Sequence, residues 1–381
     1  MQKIEFNFDI FKQIIGKLVE TSVTDMHIAP GTAPYIRQAK ELKVLRLPLY
    51  DDETGETVIA NIKEMLPADT RKFAEDLIRF ANPDEERANA LINEIDKKEI
   101  DTTLSIPRVS RFRVHISLQR SSVTVSLRVV PSKIPSVKGF PQEILNFIQY
   151  ANGMVIVSGK TSSGKSTTLA MLIDEMNKTQ NRKVVSLEDP IEYLHKHNHC
   201  MVVQREVGID TENFKSGLMS ALREDPDVLV IGEMRDVDSF QIALNAAESG
   251  CLVLTTMHSG SAPETLERIV SMFPDDKQNQ VRSQLASVLR GIVCQQLIPC
   301  INEAYESPLV AAFEVMTNNQ AIRNAIRQGK YNDVANVMET QKKNGMRTMK
   351  DSLDKLKNSN LISDEDWFLR KSRITSNNVE D

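Results

Sequence analysis

A short stretch of the sequence has the composition of a phosphate-binding loop. Residues 159–166 read GKTSSGKS and fill the pattern G-x-x-x-x-G-K-[ST] between an apolar run and a helix-forming stretch. Glycine lets the backbone curl so tightly that several N–H groups point at one anion. Lys165 is predicted to bind the β- and γ-oxygens of a nucleotide, and Ser166 to ligate Mg²⁺. The predicted contacts are Gly159, Lys160, Thr161, Ser162, Ser163, Gly164, Lys165, Ser166 and Thr167.

An acidic residue follows a second predicted strand. The segment DPDVLVIGEMRD contains the apolar run 228–231, followed by Gly232 and Glu233. An acid at the carboxyl end of that strand would lie beside Ser166 across a parallel sheet, where it would order a water molecule bound to Mg²⁺. We therefore predict that Glu233 makes a second contact to the metal through water. The alternative is a surface turn that follows a buried strand.

Further carboxylates and a histidine follow two more predicted strands. SLEDPIEY ends one strand with Glu188, Asp189 and Glu192, and LTTMHS ends another with His258. Beside a phosphate-binding loop, Glu192 is the predicted general base, and Glu188 and Asp189 are predicted to position metal or water. The alternative for the carboxylates is a solvated loop. For His258, a hydrogen bond to the γ-phosphate and a structural role both stay open.

The elements that must position these residues alternate along the chain. From about residue 142 to 300, the segments MVIVSG, KVVSLED, DVLVIGE and CLVLTTMHS are separated by helical stretches. This order predicts a parallel sheet with crossover helices. The remainder of the chain is predicted to be mostly helical and polar.

The first part of the chain has a different pattern. FDIFKQIIGKLVET has apolar residues at helical spacing, and RFRVHISLQRSSVTVSLRVV predicts two antiparallel strands. Residues 76–101 form a charged, helix-prone insert that we expect to be a solvated surface. PSKIPSVKGFP, residues 131–141, is rich in proline and predicts a linker between domains.

Bulk properties exclude some classes of protein. The chain has 381 residues, a formal net charge of −5, and 41% hydrophobic residues, which predict about two globular domains and argue against extensive nucleic-acid binding. We find no apolar run long enough for a membrane span and no secretory leader, so we expect a cytoplasmic protein. The four cysteines form no C-x-x-C pair, so a tetrathiolate zinc site is not expected.

Together these motifs resemble those of a known superfamily. The segments 159–166, EDPIE, ALREDPDVLVIGEMRD and AAESG…TTMHS resemble, in order, the Walker A motif, Asp box, Walker B motif and His box of the secretion-superfamily ATPases. The resemblance implies ATP and Mg²⁺ as ligands. The predicted fold class is α/β, with an N-terminal α+β (PAS-like) domain over 1–130 and a linker over 131–141. A RecA-like P-loop ATPase domain with C-terminal helices follows over 142–381.

Within the superfamily, the sequence is most similar to the PilT-type ATPases of twitching motility. QREVGIDTENF and AIRNAIRQGK carry this likeness, and Ala321, Ile322 and Arg323 stand in the AIR-type helix of that branch. The likeness implies a homohexamer that drives type IV pilus retraction through a platform protein at the cytoplasmic face of the inner membrane. The AIR-type helix would couple hydrolysis to retraction, or it is an amphipathic packing helix.

The resemblance also implies roles for arginines. Arg111, Arg113 and Arg128 match the sensing arginines of the family in type, because a guanidinium offers a permanently charged fork of donors to the γ-phosphate. We expect ATP to close the N-terminal domain over the loop through them, with the linker as the hinge. The alternative is exposed strand arginines whose stems pack on the sheet. Arg223 and Arg235 are weaker candidates.

Some residues depart from the family pattern. Cys251 stands where the first histidine of the His box is common, KTSS replaces PTGS in the loop, and the insert at 76–101 is long. These departures leave open a conjugation or secretion machine, or pilus assembly, as the process that the motor serves. Further alternatives are a RecA-like ring that threads DNA and a nucleotide-gated scaffold with little turnover.

Overall fold

The computed structural model describes residues 3–21, 23–38, 41–50, 57–137, 139–234, 236–305 and 307–376. The chain divides into two compact units, residues 1–132 and 133–381. The proline-rich segment 131–141 contains this boundary, and its role as a flexible linker stays a prediction.

The first unit combines antiparallel strands with helices. The helices are α1 (Phe8–Glu20), α2 (Pro67–Ala81) and α3 (Glu85–Ile92). The strands are β1 (Lys3–Ile4), β2 (Val23–Ile28), β3 (Tyr35–Gln38), β4 (Glu41–Val44), β5 (Arg46–Tyr50), β6 (Thr57–Ile62), β7 (Ile100–Ile106), β8 (Ser110–Gln119) and β9 (Ser122–Val130). Strands β4, β3, β2, β9, β8 and β7 pair in that order into an antiparallel sheet. A smaller sheet has the order β1-β6-β5, in which β1 is parallel and β5 antiparallel to β6.

An aromatic cluster forms the centre of this unit. The apolar residues of α1 recur at helical spacing and give the helix one buried face. On that face, the Phe11 ring packs edge-on against Phe73 of α2 and Phe112 of β8, with ring centroids 5.6 and 6.2 Å apart. Edge-to-face contacts of this kind add to the stabilisation from burial alone.

The charged insert is not merely a solvated surface. Within residues 76–101, Ile78, Ile92 and Ile95 are buried in the same core as the aromatic cluster. The prediction of a solvated surface is therefore wrong for the apolar face of α2 and α3. Apolar residues at helical spacing among many charged residues give an amphipathic helix. Such a helix packs through its apolar face even when most of its residues are charged or polar.

The second unit is built on one largely parallel sheet. Its strands are β10 (Gly153–Ser158), β11 (Lys183–Glu188), β12 (Met201–Glu206), β13 (Val228–Ile231), β14 (Leu252–Met257), β15 (Leu289–Pro299) and β16 (Leu309–Thr317). Their order in the sheet is β12-β11-β13-β14-β10-β15-β16, and β16 is antiparallel to β15. The helices are α4 (Gln142–Leu145), α5 (Lys165–Thr179), α6 (Phe214–Ala221), α7 (Val237–Glu248), α8 (Ala262–Ser271), α9 (Asp275–Val288), α10 (Gln320–Gln328), α11 (Asn332–Thr340), α12 (Met349–Asn358) and α13 (Asp364–Ser376).

Helices cover both faces of this sheet. Along β10, Met154 and Ile156 enter one core cluster, whereas Val155 and Val157 enter another on the opposite face. A strand buried on both faces has a continuous apolar sequence, which is the pattern that predicted β10, β11, β13 and β14. The predicted α/β class, with an α+β unit before a parallel-sheet unit and helices towards the C-terminus, is confirmed.

The helix with the AIR sequence belongs to the core. In α10, Ile322 is fully buried, Ala321 is exposed and Arg323 is half-buried. The packing alternative therefore accounts for Ile322, and a coupling role for the neighbouring residues stays a prediction. None of the helices in the part of the chain that the structure describes has the length and hydropathy needed to cross a bilayer.

The four cysteines are free thiols, and three of them are buried. Burial raises the pKa of Cys251 to about 12 and also raises the pKa of the Cys200 and Cys294 thiols. Cys300, which follows β15, is half-buried.

Candidate nucleotide site

The phosphate-binding loop, residues 159–166, connects β10 to α5 at the carboxyl edge of the sheet. Gly159 has φ +153 and Gly164 has φ +90, and Gly164 forms the N-cap of α5. A Cβ atom on Gly164 would lie 2.7 Å from Nε2 of Gln295, and one on Gly159 would lie 2.4 Å from Oγ of Ser163. Only glycine fits at these two positions, so the loop has the tight curvature that directs backbone N–H groups and the helix dipole at one anion.

The tip of the loop contains a strained residue. Ser162 has φ +62, a left-handed conformation that costs a residue with a Cβ about 1–2 kcal/mol. This position is the first serine of the KTSS segment, where the PTGS pattern has glycine. The substitution therefore leaves the shape of the loop in place and adds backbone strain at its tip.

Lys165 is held against the loop itself. Its Nζ donates to the carbonyl oxygens of Gly159 at 2.8 Å and Lys160 at 3.2 Å, and the residue is only 9% exposed. Burial lowers the pKa of Lys165, while the charges of Glu233 and Glu192 act in the opposite direction. The ammonium group thus lies at the point where the phosphates of a nucleotide would neutralise it.

His258 joins this lysine to Glu233. Nζ of Lys165 is 3.4 Å from Nδ1 of His258, and Nε2 of the same ring is 2.9 Å from a carboxylate oxygen of Glu233. Both contacts are satisfied by a neutral imidazole that accepts at Nδ1 and donates from Nε2. His258, the predicted metal contact Glu233 and the loop lysine therefore form one continuous chain of side chains.

A glycine before Glu233 lets its backbone approach β11 closely. Gly232 N donates to the Leu187 carbonyl at 2.8 Å, and a Cβ on Gly232 would lie 3.3 Å from both that oxygen and Cα of Glu188. The Gly232 carbonyl accepts from Oγ1 of Thr256 on β14. Gly232 therefore lets the chain pass close to β11. Because β13 lies between β11 and β14 in the sheet, Glu233 follows it between the loops after those two strands.

The carboxylates after β11 differ in their surroundings. Glu188 accepts hydrogen bonds from Ser186 Oγ at 2.8 Å and Gln204 Nε2 at 3.1 Å, and burial raises its pKa. Glu192 is exposed and carries a charge that acts on Lys165. Glu188 is therefore held by the protein, whereas Glu192 is accessible to water, as a general base must be.

These groups line a single cavity of about 460 Å³. Its walls include residues 161–167, Glu188, Asp189, Glu192, Tyr193, His195, Glu233 and His258. The volume is in the range of small-ligand pockets, and the glycine-only turns, the buried ammonium and the hydroxyls suit a nucleoside triphosphate. Ser166 and Glu233 supply oxygen ligands of the kind that Mg²⁺ takes, directly or through water. Gly159 and Lys160 border a second cavity behind the loop.

The three predicted sensing arginines lie in the first unit. Arg111 and Arg113 flank the buried Phe112 on β8 and share one face of the sheet, and Arg113 is directly opposite Arg128 of β9. Arg128 Nε donates to the Asp25 carboxylate at 2.8 Å. Burial raises the pKa of Asp25, but the hydrogen bonds and charge from Arg128 outweigh it, so the net pKa is lowered.

Their role toward a nucleotide stays a prediction. Of the weaker candidates, Arg223 lies in the 3₁₀ turn Leu222–Glu224, and Arg235 lies outside the described residues.

Tyr193 and His195, which we did not predict, also line the cavity. The Tyr193 hydroxyl is 2.9 Å from Oγ1 of Thr167, on the first turn of α5. Burial lowers the pKa of His195 to about 4, so this imidazole is neutral at pH 7. The one sequence signal for a role of Tyr193 in the site is its position directly after the predicted base Glu192.

His195 makes the stability of the second unit sensitive to acid. Its pKa in the folded state, about 4, is below the ordinary value of 6.5, so the unfolded chain binds more protons between these values. The free energy of unfolding is therefore expected to fall by about 1–2 kcal/mol between pH 7 and pH 5 through this residue. Urea unfolding of the wild type and of His195→Asn at both pH values measures the effect. An equal pH dependence in the two proteins would contradict it.

The sequence as a whole matches a known family. The model of the family described as "Type II/IV secretion system protein" matches residues 6–374. The chain belongs to this family. This secretion ATPase is 34% identical over 367 residues to the "Type IV pilus retractation ATPase PilT" of Pseudomonas aeruginosa, which is 96% of this chain and 98% of that one. It is 38% identical over 269 residues to the "Twitching motility protein" of Neisseria gonorrhoeae, 70% and 71% of the two chains.

Solved structures agree with this assignment. The pilus retraction motor PilT with bound ADP superposes with a TM-score of 0.77 at 36% identity and covers 96% of both chains. The Legionella pneumophila ATPase DotB has a TM-score of 0.76 at 23% identity, over 98% of both chains, and shows the shared fold alone. The resemblance to PilT-type secretion ATPases is confirmed, and the chain is an ATPase of this family.

The altered His box of this secretion ATPase does not alter the cavity. Cys251 precedes β14, whereas His258 follows it, so six strand residues separate the two side chains. At about 3.3 Å per residue, they lie roughly 20 Å apart, at opposite ends of the strand. The cysteine therefore removes no group from the edge of the sheet where Lys165 and Glu233 lie.

Proposed function

We propose that this secretion ATPase is a hexameric motor that hydrolyses ATP to retract type IV pili. The observation that carries the proposal is a relative named for pilus retraction that is 34% identical over nearly the full length of both chains. A cavity in which Lys165, Glu192, Glu233 and His258 meet supports active hydrolysis over a scaffold role. The ring is proposed to dock on an inner-membrane platform protein at the cytoplasmic face, where it transmits force.

Different residues of the cavity have different roles in hydrolysis. Backbone N–H groups of residues 159–166 and the N-terminus of α5 bind the phosphates. Lys165 exchanges its present acceptors, the carbonyls of Gly159 and Lys160, for phosphate oxygens. Glu192 takes a proton from the attacking water, and Glu188 and Asp189 position that water.

The remaining residues act on the γ-phosphate and the metal. Mg²⁺, when bound, neutralises charge on the β- and γ-oxygens, and Ser166 and Glu233 would hold it. Once Lys165 moves to the phosphates, Nδ1 of His258 loses its hydrogen-bond donor. Nucleotide binding therefore changes the surroundings of the Glu233–His258 pair. Arg111, Arg113 and Arg128 are proposed to stabilise the charge on the γ-phosphate during transfer.

Deletion of the gene in its own host tests the proposal. We expect cells with many labelled pili that extend but do not retract, because assembly continues while the retraction motor is missing. A plasmid copy of the wild type should restore retraction events in fluorescence movies, and a Lys165→Ala copy should not. Cells without pili would instead indicate an assembly motor, and unchanged pilus dynamics would refute a role in pili altogether.

A further inference from the structure

A buried glutamine lies directly behind the phosphate-binding loop. Gln295 belongs to β15, which pairs with β10, and it is only 4% exposed. A buried amide is costly unless its donors and acceptors find partners. Oε1 of Gln295 accepts a hydrogen bond of 2.6 Å from Oγ1 of Thr168, which is itself 1% exposed in the first turn of α5. The glutamine therefore ties the neighbouring strand to the start of the helix that receives the phosphates.

The same residue contacts both glycines of the loop. Its Nε2 atom lies 2.7 Å from the position of a Cβ on Gly164, and its backbone carbonyl oxygen lies 2.5 Å from the position of a Cβ on Gly159. The two glycine turns that give the loop its curvature therefore pack against the same residue of β15, Gln295. Nothing in the loop motif itself indicates this partner, because Gln295 lies 131 positions after Gly164 in the sequence.

The middle of the loop has less support. Residues 161–163 border the 460 Å³ cavity in front and a cavity of about 270 Å³ behind. The rear cavity is also lined by Arg370 and Arg373 of α13. Gly164 lines only the front cavity and Gly159 only the rear one. The loop therefore has space on both sides only at its tip, and its shape depends on how its ends are held.

We propose that Gln295 is a positioning residue for ATP binding. By fixing Thr168 and the two glycines from the neighbouring strand, it sets the direction of the loop N–H groups and of the α5 N-terminus toward the phosphates. The proposal rests on the nucleotide site of the proposed function and extends it to a residue that does not touch the nucleotide. Its effect is on nucleotide affinity and KM, because the loop binds the phosphates throughout the reaction.

The next residue of the strand provides a matched control. The Gln296 side chain accepts a hydrogen bond of 3.2 Å from Nη1 of Arg370 on α13, behind the loop. Gln295→Leu and Gln296→Leu are the same substitution at adjacent positions of one strand. A general disturbance of β15 would affect both variants alike, whereas loss of loop positioning would affect only the first.

Nucleotide titration with a fluorescent ADP analogue, well below the melting temperature, tests the proposal. Gln295→Leu is expected to weaken binding and raise KM for ATP by about 10- to 100-fold, with a smaller change in kcat. Gln296→Leu is expected to bind within about twofold of the wild type. Equal affinities of Gln295→Leu and the wild type would overturn the proposal. Failure of the wild type itself to bind ADP would refute the nucleotide site, which is a separate result.

A double variant separates positioning from folding. Thr168→Val with Gln295→Leu removes both members of the hydrogen bond, so no buried hydroxyl is left unpaired and the melting temperature should recover towards that of the wild type. Affinity should stay low, because nothing then orients the loop. Recovery of both quantities together would show that Gln295 serves only stability and would overturn the proposal.

Discussion

Glu192→Gln is expected to reduce the rate of ATP hydrolysis by about 10²- to 10⁴-fold while the protein still binds nucleotide. The amide keeps the size of the side chain and loses the ability to take a proton from water. The Glu192 side chain is exposed in the cavity, whereas Glu188 is held by hydrogen bonds from Ser186 and Gln204. Phosphate release under single-turnover conditions measures the rate, and ADP titration confirms that binding persists.

Glu188→Gln is the matched control for this assignment. Glu188 accepts its hydrogen bonds from Ser186 and Gln204 through one oxygen, and the amide oxygen of glutamine can still accept from both. We therefore expect a clearly smaller loss of turnover than for Glu192→Gln. If the two losses were reversed in size, Glu188 would be the base, and its raised pKa would then suit it to proton transfer nearer neutral pH.

Lys165→Ala is expected to lower kcat/KM by at least about 10²- to 10³-fold and to weaken nucleotide binding. The ammonium group is buried at the loop and is the predicted contact to the β- and γ-oxygens, where charge develops during phosphoryl transfer. Alanine also leaves the carbonyls of Gly159 and Lys160 without this donor. Steady-state hydrolysis together with ADP titration measures both effects.

Lys178→Ala provides the control for Lys165→Ala. Lys178 lies in the last turn of the same helix, where its ammonium pairs with Asp174 and its side chain is 59% exposed. An exposed pair of this kind contributes little, so ordinary activity and stability are expected. Undiminished hydrolysis by Lys165→Ala would mean that the cavity described here is not the site of the reaction.

The sequence predicts the site well where strands and motifs coincide. β10, β11, β13 and β14 are short apolar runs, each followed directly by a motif, and parallel strands place their carboxyl ends at one edge. This rule alone is sufficient to bring Lys165, Glu192, Glu233 and His258 into one cavity. The contacts within the loops are harder to predict from the sequence. The contact of His258 with both Lys165 and Glu233 depends on side-chain rotamers that sequence spacing does not fix.

Contacts between distant segments explain what sequence reasoning missed. The sequence predicts a mostly helical region where β16 lies, but LVAAFEVMT pairs with β15 and lacks alternation because it is covered on both faces. Gln295 belongs to no motif, and its importance is visible only once β15 pairs with β10. The composition of the insert predicts surface helices because charged residues dominate it, although buried Ile78 and Ile92 determine where these helices pack.

The reactivity of the four thiols decides where a fluorescent dye would attach to this secretion ATPase. Cys200, Cys251 and Cys294 are buried with raised pKa values, so little reactive thiolate is present on them at neutral pH. Cys300 is half-buried and lines neither of the two cavities that flank the loop. A maleimide dye would therefore attach preferentially at this native position, and the protein could be followed by fluorescence during turnover without engineering a new attachment point.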